Sequence, residues 1–403
     1  MGFNQKIRQG LKVSLSGDSG HVVIRSSRHP RGTSTDYSFG IEEEYFLADA
    51  RTLDVAQTTP DAFFEAVNWT TGGQAMREML QAQLEVATNV HVDIRDAREE
   101  LLFLRREAAS VADQFGLAIM ACGTHPTAVW RQSRLSPKAR YEAMIDDLRL
   151  VGQRNMLCGM HVHVQLPDPG KRLAVMCAMI PYLPLFIALA TSSPFWNSRA
   201  TGLRGYRLAA YDELPRTGIP ELFRTDAEYA DYVNALTSSG AMPDESYIWW
   251  AMRPSMRHPT LELRAPDSCT RLDDAIAIAS LYRALARHLD RQPDCAGHLT
   301  NVDRAIAIEN KWRAQRYGVD CTFASRAGPL PLREMLWTLI ERLSADAESL
   351  GCRAEVEHCK AIVAGGTSAD HQIAASGAMS DDLDAVKTWI ALATVTGVVA
   401  LTS

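Results

Sequence analysis

Residues 38–47 read SFGIEEEYFL, a short run of β-prone residues closed by the turn formers Asp49 to Asp54. On a strand, alternate side chains face opposite sides, so Glu42, Glu44 and Phe46 share one face and Ile41, Glu43, Tyr45 and Leu47 the other. Two carboxylates therefore point the same way. The same period applied to Cys158–Leu166 (CGMHVHVQL) puts His161, His163 and Gln165 on one face and Met160, Val162 and Val164 on the other. In Thr260–Ala265 (TLELRA), Glu262 and Arg264 lie opposite Leu261, Leu263 and Ala265. Each strand pairs an apolar face, suited to packing on helices, with a face of carboxylate, imidazole or guanidinium. In one sheet these faces form a polar floor. A floor so rich in carboxylate repels itself unless cations sit on it, and hard divalent ions prefer oxygen ligands. Glu78 and Glu85, in REMLQAQLE, are seven apart and would share a helix face, although the segment reads equally as helix or strand.

Outward from these strands, helices are expected at 94–116, 140–153, 172–192, 272–291 and 331–350, where apolar residues recur at three and four positions. Further strands are expected at 117–122 and around 246–253. Strands separated by long helical insertions indicate an α+β fold. Residues 1–36, rich in Gly, Ser, His and Arg, read as a flexible N-terminal extension, and 37–403 as a single catalytic domain with a helical part over 321–403. Residues 173–198 carry no charge, yet Pro181 and Pro184 interrupt them, so they read as a buried, kinked helix pair and no membrane association is expected.

The 403-residue chain has 42 basic and 48 acidic residues, a net charge of −6, which gives no electrostatic footprint for nucleic acid. Only seven of the basic residues are Lys, so phosphates would be met mainly by Arg and metal ions. The eight cysteines never form a C-x-x-C pair and read as reduced thiols of a cytoplasmic protein. Walker, Rossmann, G-x-S-x-G and H-E-x-x-H motifs are all missing from the sequence.

Six segments carry a resemblance: FGIEEEYFL (39–47), ACGTHPTAVW with SPKARYEAM (121–144), CGMHVHVQLPD (158–168), SSPFWNSRATGLRGYR (192–207), RPSMRHPTLELRAPD (253–267) and ENKWRAQRYGVD (309–320). In order and spacing the chain resembles the carboxylate–amine ligase family related to glutamate–cysteine ligase, of the bacterial type 2 kind. The resemblance implies a glutamine-synthetase-like fold: a curved, mainly antiparallel sheet whose concave face binds ATP and divalent metal, Mg²⁺ or Mn²⁺, with helices on the convex face. It implies ATP-dependent joining of an amino-acid carboxylate to an amine through an acyl phosphate, with glutamate and cysteine as the name-giving pair, and a homodimer. The family's metal ligands carry over onto Glu42, Glu44, Glu78, Glu85, His161 and Glu262. Arg264, with Glu262, falls at the reacting phosphoryl group, and Arg253 and Arg207 at the nucleotide or a substrate carboxylate. His163 is a pocket residue or a structural one, and His125 a turn organiser. One departure is Ala251, where the family commonly has Asp before its R-P-S motif. The alternatives are a phosphotransferase of the same fold, acting on a guanidino or amino group, and a metal-dependent binding protein without turnover.

Overall fold

The computed structural model describes residues 37–137, 139–292, 294–378 and 381–396, so the expected N-terminal extension lies outside the described residues. Strand β1 (Phe39–Asp49) is the axis of a seven-stranded antiparallel sheet. Its other members are β2 (Ala75–Arg77), β3 (Gln83–Ala87), β4 (Leu117–Met120), β5 (Met160–Gln165), β8 (Met252–Pro254) and β9 (Thr260–Leu263). The order is β2-β3-β1-β5-β9-β8, with β4 pairing the distal half of β1. Two hairpins lie outside it: β6 (Phe195–Trp196) with β7 (Arg199–Ala200), and β10 (Thr322–Ser325) with β11 (Gly328–Pro331).

Hydrophobic burial explains which face is covered. Ile41, Tyr45, Leu47, Leu84, Val86, Val162, Val164, Leu261 and Leu263 are buried in one core with helices Ile94–Gln114 and Leu272–Asp290. Each large side chain so buried contributes roughly 1.5–3 kcal/mol. Helix Ile94–Gln114 starts where the Asp93 side chain accepts from Arg95 N. Helix Leu272–Asp290 has Asp273 and Asp274 in its first turn and Arg287 and His288 in its last, matching its dipole. The opposite face of β1 changes character along the strand. After Glu42 and Glu44 come Phe46 and Ala48, which join Met120, Phe195 and, from the C-terminal helix Leu383–Val395, Val386 and Ile390 in a second apolar cluster. The polar floor is thus confined to one end of the sheet.

Strands 38–47, 117–122, 157–166 and 259–266 occur where expected. The segment 246–253 does not form a strand along its length: Trp249 N donates to Arg216 O and Ala251 N to Gly218 O, and pairing begins only at Met252. Residues 331–350 form two helices, Leu332–Arg342 and Ser344–Ser349, and the expected helical part over 321–403 opens with the β10–β11 hairpin. The apolar run 173–198 contains two short helices, Arg172–Met179 and Leu183–Leu189, broken at Ile180–Tyr182. Pro169–Leu189 is long and apolar enough to cross a membrane, but most of it is buried within the protein. All eight thiols are free and seven are buried.

Candidate active site on the polar face

Register brings the acidic strands together. Across β3 and β1, Glu85 stands opposite Glu44; across β1 and β5, Glu42 stands opposite His161; across β5, β9 and β8, His163, Glu262 and Arg253 stand in line. Among the described residues, two groups have ligand atoms within 4.8 Å of one another: Glu44 with Glu78 and Glu85, and Glu42 with His163 and Glu262. His161 lies between them. Its Nδ1 is 3.2 Å from Glu42 Oε2, and its Nε2 is 3.9 Å from Glu44 Oε1. The segment 78–85 is not a helix. Glu78 sits in the turn after β2, its carbonyl accepting from Ser136 Oγ at 2.6 Å, and Glu85 lies on β3, so the chain reversal between them makes them converge.

The electrostatics differ between the two groups. Burial, then the charges of Glu78, Glu42 and Glu44, push the Glu85 carboxyl well above its ordinary range. Burial also raises Glu44, which His161 partly offsets and Glu78 reinforces. Burial pushes Glu42 upward too, but hydrogen bonds from His161 and His163 outweigh it and hold the carboxyl well below its usual value. For His163 burial works downward, and Glu42 and Glu262 win, raising the imidazole. Glu262 is desolvated, yet Arg264 and Arg253 keep it depressed.

These donors fit a hard divalent cation. The sets are rich in carboxylate oxygen with imidazole beside them, the Glu44 group carries like charges that nothing within it neutralises, and His161 Nε2 is buried without a hydrogen-bond partner.

The arginines form the other half of the floor. Arg264 pairs with Glu262 through Nη1, and Arg253 Nε reaches Glu262 Oε2 at 2.8 Å while its Nη1 donates to Ser246 O and Ile248 O. Arg207 is 3% exposed and, among the described residues, makes no ion pair; it donates to Pro266 O at 3.1 Å. Its guanidinium lies against Gly159, where a Cβ would meet Nη2 at 2.1 Å, so a side chain at 159 would force the guanidinium to move. Gly159 N in turn donates to Glu44 Oε2 at 2.5 Å. The ENKWRAQRYGVD segment braces this corner: Gln315 O accepts from Arg204 N and Gly205 N, and buried Lys311 pairs with Asp212. His125 is buried against Leu53 O, burial pulling its pKa down to about 4, as suits a turn organiser. Ala251 is buried near Arg264 and Lys311, lining a pocket large enough for one water, about 10 Å³.

Glu42, Glu44, Glu78, Glu85 and Glu262, with His161, His163, Arg207, Arg253 and Arg264, line one cleft of about 470 Å³, a size suited to a small ligand. Arg140, Tyr141, Trp249, Arg257 and His258 also line it and received no role from the strand pattern. Their segments are irregular or helical, so period two does not select them; SPKARYEAM was visible only as a motif.

The glutamate–cysteine ligase family 2 model matches residues 38–388. The chain belongs to glutamate–cysteine ligase family 2. A Bradyrhizobium diazoefficiens protein named "Putative glutamate--cysteine ligase 2" is 66% identical over 387 residues, covering 96% of this chain and 91% of its own. A Rhodospirillum rubrum protein of the same name is 42% identical, covering 86% and 92%. In fold the chain is similar to glutamate–cysteine ligase of Francisella tularensis, solved in complex with AMP, with a TM-score of 0.66 at 12% identity over 91% of this chain and 90% of that one. It is also similar to the bifunctional glutathione synthetase of Pasteurella multocida, with a TM-score of 0.69 at 15% identity over 90% of this chain and 53% of that longer one. The fold is therefore the expected glutamine-synthetase-like α+β type, and this family member is an enzyme of the ATP-dependent, glutamate–cysteine ligase class.

Proposed function

We propose that the chain joins an amino-acid carboxylate, glutamate being the first candidate, to an amine, cysteine being the first candidate, through an acyl phosphate. The observation that carries this reading is the two carboxylate groups side by side with an arginine half on one floor. A carboxylate oxygen of the substrate attacks the γ-phosphorus of ATP and ADP leaves; the amine nitrogen then attacks the acyl carbon, phosphate leaves, and the nitrogen gives up a proton. Phosphoryl transfer needs positioning and charge neutralisation more than covalent help. In this reading Arg264, held by Glu262, meets the transferring group, and Arg253 and Arg207 hold nucleotide or substrate anions. Glu44, Glu78 and Glu85, and Glu42, His163 and Glu262 with His161 between, would hold Mg²⁺ or Mn²⁺. The cation supplies charge neutralisation for the phosphates. The working enzyme is a cytoplasmic homodimer in this reading.

The test is ADP release with carboxylates crossed against amines, starting with glutamate and cysteine, followed by product mass. ADP should appear only with both partners present, and ¹⁸O in the substrate carboxylate should pass into phosphate. ADP and a phosphorylated product without an amine would instead mark a phosphotransferase, and no ADP from any pair a binding protein.

A further inference from the structure

Helix Ala139–Gln153 begins with the ARYEAM part of the SPKARYEAM motif, which the floor chemistry leaves without a role. Apart from Gly152, no described residue of this helix is buried. Its half-covered side chains, Tyr141, Met144, Ile145 and Leu148, recur at three- and four-residue spacing, the stripe of a helix laid on a surface by one side. Three of its side chains, Arg140, Tyr141 and Met144, line the active-site cleft.

The helix bridges the two halves of the site. Just before it, Ser136 Oγ donates to Glu78 O on the acidic side. At its start, Arg140 Nη2 reaches Ser246 Oγ at 3.0 Å, and its guanidinium lies 5.1 Å from the Tyr247 ring, on the side of β8. Tyr141 lies within electrostatic reach of Glu78 and Glu85. Arg149 leaves helical geometry at φ 52° and ψ −126°, a conformation disfavoured for any residue but glycine, so the helix is interrupted near its far end.

Charge identifies what such a wall would meet. Around the β8 side the cleft is lined by Arg140, Arg253, Arg257 and His258 against Glu245. Arg253 gives Nε to Glu262 and Nη1 to two carbonyls, which leaves chiefly Nη2 for an anion, whereas Arg140 has no carboxylate partner among the described residues. A hydroxyl and an aromatic face are weak partners for a guanidinium that matches carboxylate or phosphate in a bidentate fork.

We propose that helix Ala139–Gln153 is a closing wall of the cleft and that Arg140 and Tyr141 are ligand-contacting residues, Arg140 pairing with an anionic group, a nucleotide phosphate or the carboxylate of the amino-acid substrate. The inference rests on the ligase reading only for the identity of that ligand. Arg140 exchanges Ser246 and Tyr247 for the anion when the cleft fills, and Tyr141 comes down over the acidic group.

Two measurements test this on the full chain, neither requiring turnover. Limited trypsin digestion, mapped by mass, reads cleavage at Arg140, Arg149 and Arg154 with Mg²⁺ and a non-hydrolysable ATP analogue, with glutamate, or with both. Cleavage slowed at least fivefold in one arm is expected, and the protecting arm distinguishes phosphate from carboxylate. Calorimetry then compares Arg140→Ala, Arg140→Lys and the outward-facing control Glu142→Gln. Loss of a charge-assisted pair should weaken the protecting ligand by about ten- to a hundredfold in Arg140→Ala. Arg140→Lys should fall between, and Glu142→Gln should match wild type. Unchanged cleavage in every arm, or wild-type affinity in Arg140→Ala for both ligands, overturns the proposal. Failure of the ligase reading shows separately, as no ADP release in the crossed screen.

Discussion

Glu42, Glu43 and Glu44 are chemically identical neighbours with opposite fates. Glu43 faces the apolar core, where it and Arg105 are both 0% exposed; Arg105 Nε and Nη2 hold its two oxygens at 2.8 and 2.6 Å, and Tyr45 Oη donates to it at 2.5 Å. Arg105 also donates to Cys269 O and Thr270 O, tying helix Ile94–Gln114 to the chain that follows β9. Glu42 and Glu44 face the cleft among imidazoles and other carboxylates. A fully paired buried charge serves architecture, whereas carboxylates gathered with imidazole on the floor of a cleft suit a cation. The pleat of a single strand makes that division.

The contrast can be broken experimentally. Glu43→Ala leaves Arg105 buried and uncompensated and should cost about 3–5 kcal/mol by denaturant unfolding, whereas replacing both partners with apolar residues should recover most of it. Glu42→Ala should keep the fold and lower ATP-dependent turnover by about a hundredfold or more, the scale of losing a charge-stabilising group at a reacting centre; equal losses of stability in Glu42→Ala and Glu43→Ala would erase the distinction. Glu85→Gln should raise the melting temperature of the metal-free protein at neutral pH. The Glu85 carboxyl is raised in the fold, so its cost to stability builds up as pH rises from its ordinary 4.5 and is complete above its folded pKa, and the gain should vanish below 4.5.

The smallest effect belongs to Glu100, which ties helix Ile94–Gln114 to the end of β3 through His91, Gln74 and Asn89. Burial opposes its ionisation, but these partners hold it at about 2 against an ordinary 4.5. Its contribution is complete above about pH 4.5 and lost as pH falls through about 2, so wild type and Glu100→Gln should differ in melting temperature at pH 7 and converge in acid.

The sequence made the floor legible because β1, β5 and β9 alternate cleanly, and alternation is local. Glu43 carried the same signal and was assigned to the correct face, but its partner Arg105 is 62 residues away on a helix and invisible to period two. Glu78 and Glu85 were selected together on helical spacing and family likeness, while their convergence comes from a turn and a strand. Helix Asn301–Tyr317 escaped because its pattern is inverted: it buries Lys311 and Gln315 at the Arg204–Arg207 corner and Asn310 against Ala324 of β10, and exposes Val302, Ile308 and Trp312. The β10–β11 hairpin escaped because Gly328, Pro329 and Pro331 are poor strand residues.

Mn²⁺ binding, followed by electron paramagnetic resonance in wild type, Glu42→Gln and Glu85→Gln, tests most directly whether this face of the sheet holds cations. The account predicts ions on both carboxylate groups in wild type and loss of a different one in each variant, with Glu43 and its core untouched. Equal stoichiometry and affinity in all three proteins would contradict it.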